Sequence, residues 1–222
     1  MNRPVISQRI SSILSDIQRL SNALYAMNTT DIQRYPDNYE VLSTDAALRA
    51  EVITCRLRHL VYGSTNVKKS EYLASAASAQ GIDIQQRSGV YTITLPCILP
   101  KRKQSRSSEY LIDPLTAALE QCVRAHAVKR FRHCVVCFSH VYSRTLPERR
   151  VKDYDNFEVK QFLDAVGAYL LTDDGGRFCD VFHTTEMGEK DCTQMFIMDK
   201  ASFPAWLPDR SLDVQNADGS EG

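Results

Sequence analysis

The sequence predicts an α+β fold. A β-α-β-α-β-β core spans residues 82–205, behind a helical appendage at 1–80 and ahead of a polar, acidic tail at 206–222. Two observations lead there. In the first 80 residues apolar side chains recur every three or four positions, the spacing of one helix face. From Ile82 the period shortens to two, as in Val90-Tyr91-Thr92-Ile93-Thr94-Leu95, where alternate side chains face opposite sides of a sheet.

In the appendage, Ile6, Ile10, Ile13, Ile17, Leu20 and Leu24 form one stripe of a helix over 4–26. Residues 28–43 carry the turn chemistry of a connector, including Tyr35-Pro36-Asp37-Asn38. A second helix runs from about Thr44 to Tyr62, with Ala46, Ala50, Ile53, Leu57 and Leu60 as its stripe. A third, Ala- and Ser-rich, covers roughly 68–80 and stops at Gly81. The first two stripes are expected to pair as an antiparallel hairpin or short coiled coil.

In the core, Ser88-Gly89 is a turn before the first strand, which Pro96 and Pro100 end. Lys101-Arg102-Lys103-Gln104-Ser105-Arg106 reads as a basic loop. A helix over 109–127 accommodates Pro114 only near its first turn. Cys134–Tyr142 is β-branched and aromatic, as strands are. Its Cys134-Val135-Val136-Cys137 places the two thiols on opposite faces, so a zinc site is rejected in favour of buried thiols. Residues 156–171 carry a helical stripe, and Gly175-Gly176 turns the chain. Residues 177–185 and 192–198 are expected to form a hairpin through Gly188. The tail is expected to be disordered.

A formal net charge of zero conceals an asymmetry. Residues 101–152 hold 12 Lys and Arg against 4 Asp and Glu, while 153–222 hold 5 against 15. Such segregation suits a basic contact surface beside an acidic site, or charges spread over solvated faces. No apolar run approaches the ~18 residues that span a bilayer, and the first residues lack the apolar region of a signal peptide. Seven irregularly spaced cysteines suggest free thiols and a cytoplasmic protein. The five histidines show no ligand spacing.

The candidate site lies between Arg149 and Asp174. Arg149-Arg150-Val151-Lys152 precedes Asp153-Tyr154-Asp155-Asn156, and Asp173-Asp174 comes after the next helix. Bunched carboxylates repel, and a hard divalent cation relieves that repulsion. In an extended segment Asp153 and Asp155 would point the same way and share the ion. Lys160, in the second turn of the helix, would steady a phosphate or developing oxyanion. The same residues also admit a purely structural reading. Asp155 with Glu158 makes a capping box, Asp173-Asp174-Gly175-Gly176 is turn chemistry, and Lys160 with Asp164 is an i,i+4 pair.

These motifs resemble the RusA-type Holliday junction resolvases over residues 90–199. Ile93-Thr94-Leu95-Pro96 leading into Lys101-Arg102-Lys103 matches the family's strand and basic loop. Asp153-x-Asp155-Asn156, Lys160, Asp164-Ala165 and Asp173-Asp174 match its acidic motifs in order. The family's lysine comes three residues after the asparagine; here Val159 holds that place and Lys160 is next. The resemblance implies a homodimeric endonuclease that cuts branched DNA, with Mg²⁺ (or Mn²⁺ in its place) held by Asp153, Asp155 and Asp174, and Asp173 nearby. Lys101, Arg102, Lys103, Arg106, Arg149, Arg150 and Lys152 are then expected on DNA phosphates. A rival reading keeps the fold without catalysis, as a DNA-binding or scaffolding protein acting through residues 1–80. A third gives those residues a recombination or replication partner.

Overall fold

The computed structural model describes residues 3–102, 109–126, 128–145 and 151–208. Two compact units divide the chain, Met1–Lys69 and Ser70–Gly222.

The first unit is a helical hairpin. Helix α1 spans Arg3–Thr29 and α2 spans Pro36–Ser64, where Pro36 opens the helix because its missing N–H is needed by no partner there. Ile13 and Ala23 of α1 are buried with Ala46 and Ile53 of α2. Arg56 reaches across to Ser12 Oγ at 2.8 Å and pairs with Asp16. The expected six-residue stripe is split. Ile13 lies inside the hairpin, whereas Ile10, Ile17 and Leu24 are exposed. At 100° per residue they stand about 40–60° around the helix from Ile6, Ile13 and Leu20, and α2 packs on the Ile13 side alone.

The second unit begins with α3 (Lys69–Gln80), whose Ala77 belongs to the main core. Helix α3 thus groups with the sheet, and the division falls about eleven residues before the expected one. Gly81, at φ +84°, ends it in the left-handed conformation that glycine tolerates. Strands β1 (Asp83–Arg87) and β2 (Val90–Leu95) form a two-residue hairpin through Ser88 and Gly89, at φ 50° and 80°. Two positive φ values match the right-handed twist of the flanking strands. After them come α4 (Glu109–Ala125), β3 (Cys134–Ser143), α5 (Lys160–Leu170), β4 (Cys179–Gly188) and β5 (Cys192–Asp199).

The five-stranded mixed sheet has the order β1-β2-β5-β3-β4. Strand β3 pairs parallel with β4 on one side and antiparallel with β5 on the other. The expected hairpin over 177–198 is therefore not formed, because β3 lies between its two strands. The β4–β5 connection crosses the end of β3, where Ser143 N–H donates to Asp191 Oδ1 at 2.8 Å and Ser143 Oγ to the Glu189 carbonyl at 3.1 Å. Gly188 packs tightly there: an added Cβ would sit 2.6 Å from Val141 Cγ1.

One face of the sheet carries the core. Ile93, Leu95, Val136, Phe138, Met195 and Ile197 pack with Leu111, Leu115 and Leu119 of α4 and Phe162, Val166 and Leu170 of α5. A smaller cluster on the other face joins Val135, Cys137 and Met198 to Phe196, Phe203 and Trp206. Cys134 and Cys137 divide between the two clusters, as strand alternation requires. Residues 203–208 are helical, and Trp206 rests 4.9 Å from Phe196, so the start of the expected tail is ordered. Residues 209–222 lie outside the described residues.

Candidate functional site

Sequence patterning builds β3 as a ten-residue central strand, buried along nearly its whole length. Tyr142, near its end, anchors the acidic segment: its Oη accepts the backbone N–H of Lys152 at 3.2 Å. Asp153 is extended, at φ −65° and ψ 145°, and Tyr154–Asn156 forms a 3-10 turn. The chain then pairs with the start of the basic loop. The Arg102 N–H donates to the Asn156 carbonyl at 2.7 Å and the Glu158 N–H to the Pro100 carbonyl at 2.9 Å. Lys101 and Phe157 form an antiparallel bridge between them. Two segments more than fifty positions apart, one basic and one acidic, are thus joined through their backbones.

Aromatic side chains seat the turn on the sheet. Phe157 is buried against His140, with ring centroids 4.1 Å apart, and Tyr154 stacks on His183 at 5.1 Å. Tyr154 Oη meets Thr185 Oγ1 at 3.1 Å. The two imidazoles share a hydrogen bond, His140 Nε2 to His183 Nδ1, of 3.2 Å. Burial drives the His140 pKa down from 6.5 to about 4, with the neighbouring His183 as a lesser cause. Burial also lowers that of His183. Both rings are neutral at pH 7, one donating to the other. His140 Nδ1 is buried and has no hydrogen-bond partner among the described residues.

No linear spacing announces this pair. The parallel register, with Phe138 opposite His183 and His140 opposite Thr185, brings the histidines together across 43 positions. A sequence signal for it would have required knowing that β3 and β4 pair.

The structure separates the expected site residues into two groups. Asp153 and Asp155 are exposed on the turn that Lys101 and Arg102 flank. They do not share an extended segment: a 3-10 turn rotates each residue by about 120°, so positions i and i+2 are not aligned as in a strand. Asp155 caps no helix either. The residue before α5 is Val159, which makes no side-chain cap, and Glu158 Oε1 receives only a long 3.4 Å bond from the Gln161 N–H. The helix expected from Asn156 starts at Lys160, which is its first residue rather than part of a second turn.

Lys160 Nζ donates to both Asp164 oxygens, at 2.9 and 2.7 Å. This bond chiefly raises the Lys160 pKa, with smaller contributions from Asp174 and Glu158. Asp174 folds back against α5: a Cβ added at Gly167 would lie 3.7 Å from Asp174 Cβ. Lys160, Asp164 and Gly167 share one helix face, so Asp174 joins that cluster. Asp173 Oδ1 accepts the Gly175 N–H at 2.7 Å, the turn bond expected of Asp before glycine. Among the described residues no group of three His, Cys, Asp or Glu side chains gathers where a metal could sit. The two acidic pairs are therefore placed apart, one beside the basic segment and one along α5. Lys101 and Arg102 are exposed, and Lys152 Nζ lies 5.9 Å over the Phe157 ring. Lys103, Arg106, Arg149 and Arg150 fall outside the described residues.

These features define an α+β protein whose mixed sheet carries an acidic turn against a basic segment. The chain belongs to DUF6100, a family of unknown function whose model matches residues 2–218. No curated protein matches the sequence. Among the described residues no helix is long and apolar enough to cross a membrane.

Proposed function

We propose that this protein is a structure-selective endodeoxyribonuclease that cleaves branched DNA with Mg²⁺, in the manner of the RusA-type resolvases its motifs resemble. One observation carries the reading: the backbone bonds from Arg102 to Asn156 and from Glu158 to Pro100 set Lys101 and Arg102 beside Asp153 and Asp155. A phosphodiester nuclease needs this juxtaposition, cations for the DNA backbone next to carboxylates for a metal.

Exposed carboxylate oxygens suit a hard cation, and Mg²⁺ is commonly held by one or two carboxylates together with substrate phosphates. Asp153 and Asp155 would hold it with substrate phosphate completing the shell, whereas Asp174, expected as a further ligand, lies with the Lys160–Asp164 pair along α5. When bound, such an ion polarises the phosphate and lowers the pKa of water. The chain's own residues supply the rest. Lys101 and Arg102 position the strand through its phosphates. Tyr154, seated on His183 and bonded to Thr185, keeps the acidic turn fixed to β4. Symmetric cutting of a junction requires two such sites about a two-fold axis, hence a homodimer.

A second reading rests on Lys160. Its two bonds to Asp164 occupy the cation that would otherwise assist catalysis, as expected of a DNA-binding or scaffolding protein on the same fold. Incubating the full chain with synthetic four-way junctions, with and without Mg²⁺, separates the two. Mg²⁺-dependent paired nicks support the nuclease. Junction binding without nicks in either Mg²⁺ or Mn²⁺ supports the second reading.

A further inference from the structure

Two of the seven cysteines are placed to react with one another. Cys134 opens β3 and Cys179 opens β4, and the parallel register pairs them directly. Paired residues on neighbouring strands point to the same face of a sheet, and both side chains belong to the main core cluster. The Cys134 N–H donates to the Phe178 carbonyl at 2.8 Å, which holds the register at this end of the sheet. Neighbouring strands lie about 4.8 Å apart, inside the window of roughly 4.4–6.8 Å between Cα atoms that a disulfide spans. The other strand cysteines have no such neighbour: Cys137 lies opposite Phe182 and Phe196, and Cys192 opposite Val141.

We propose that Cys134 and Cys179 form an oxidation site, which hydrogen peroxide closes to a cross-strand disulfide. The Cys179 sulfur attacks one peroxide oxygen, the O–O bond breaks, and the departing hydroxide leaves as water with the thiol proton. Cys179 is then a sulfenic acid. The Cys134 sulfur attacks the Cys179 sulfur, the S–O bond breaks, and the oxygen leaves as a second water with the Cys134 proton. Two thiols lose two electrons and two protons, and one peroxide becomes two waters. Hydrogen bonding sets the order. The Cys134 S–H donates to the Cys179 sulfur, which lowers the Cys179 pKa and, with burial, raises that of Cys134. Cys179 is therefore the nucleophile and Cys134 the thiol that resolves it. Cys179 is 5 % exposed, at the start of β4, an outermost strand of the sheet. Such an end opens locally while the rest of the sheet stays paired. The Phe178 and Cys179 N–H groups both donate to the Gly175 carbonyl, so the new bond ties the 173–176 turn to β3. The site does not depend on the nuclease reading.

The test is peptide mapping of the folded, full-length chain after exposure to millimolar hydrogen peroxide. Catalase stops the reaction, iodoacetamide in urea blocks the remaining thiols, and the digest is weighed without reductant. Peptides joined through Cys134 and Cys179, lighter by two hydrogens than the reduced pair, should accumulate about ten times faster than any oxidised form of Cys192. Cys192 is the control because it is buried at the start of β5 with valine opposite. In Cys134→Ser, which lacks the resolving thiol, Cys179 should stop at the sulfenic acid and be captured by dimedone. The same treatment of the chain unfolded in urea should join Cys134 and Cys179 no faster than other pairs. Finding Cys134 and Cys179 still alkylated once Cys192 is oxidised overturns the proposal. So does a Cys179 joined mainly to another cysteine, or equal joining of the pair in the folded and unfolded chains. If Cys134→Ser fails to fold, the map of the wild type decides alone.

Discussion

Protonating His140 should weaken the fold of the sheet unit by an amount the structure sets. The ring is fully buried against Phe157, and its pKa falls from 6.5 to about 4. A histidine whose folded pKa is depressed contributes stability above its unfolded pKa and loses it as pH falls toward the folded one. The window is therefore pH 6.5 down to 4. At about 1.36 kcal/mol per pH unit the full loss is about 3 kcal/mol, and about 2 kcal/mol of it falls between pH 7.5 and 5. The assay is urea unfolding at those two pH values, monitored by the fluorescence of Trp206. This is the chain's single tryptophan, and it packs on Phe196 and Phe203 of the sheet unit. His140→Phe keeps a planar ring against Phe157 and removes the titration. The wild type should lose about 2 kcal/mol more than the variant between pH 7.5 and 5. Equal losses would refute the claim that His140 is buried neutral beneath the acidic turn.

Other consequences are open to measurement. Gly188→Ala places a methyl 2.6 Å from Val141 Cγ1 and should cost about 1–3 kcal/mol in the same unfolding assay. Lys101→Ala with Arg102→Ala should flatten the salt dependence of junction binding by about two units of log–log slope; an unchanged slope would make them solvated charge only. A chain starting at Ser70 should melt cooperatively, whereas one starting at Ile82 removes Ala77 from the core and should lose about 1–3 kcal/mol. Equal stability of the two truncations would detach α3 from the sheet unit.

Much of the element order is legible because it rests on local signals. The hairpin turn at Ser88-Gly89, the alternation of β2 and the helical period of α1 and α2 are each encoded within a few residues. Pairing is not. Nothing local distinguishes a β4–β5 hairpin from two strands flanking β3, and β1, at Asp83–Arg87, is too polar and exposed to show a period-two core face. The start of α5 differs from its expected place for a related reason. Asp155 and Glu158 have capping-box spacing, but backbone bonds from Arg102 and Glu158 hold this stretch as a bridge to the basic loop. For the site, residue types and order point to Asp153, Asp155, Lys160 and Asp174. The His140–His183 pair depends on strand register and leaves no trace in the linear spacing. The α1 stripe is visible as apolar, yet only packing shows that half of it is left exposed.

The most direct measurement compares the wild type with Asp155→Asn on one synthetic four-way junction in Mg²⁺, scoring binding and strand cleavage together. The nuclease account predicts paired nicks from the wild type. It predicts none from the variant, with equal or tighter junction binding because one negative charge has left a phosphate-facing surface. Equal cleavage by the two proteins would contradict the assignment of Asp155, and a wild type that binds junctions without cutting them would contradict the account as a whole.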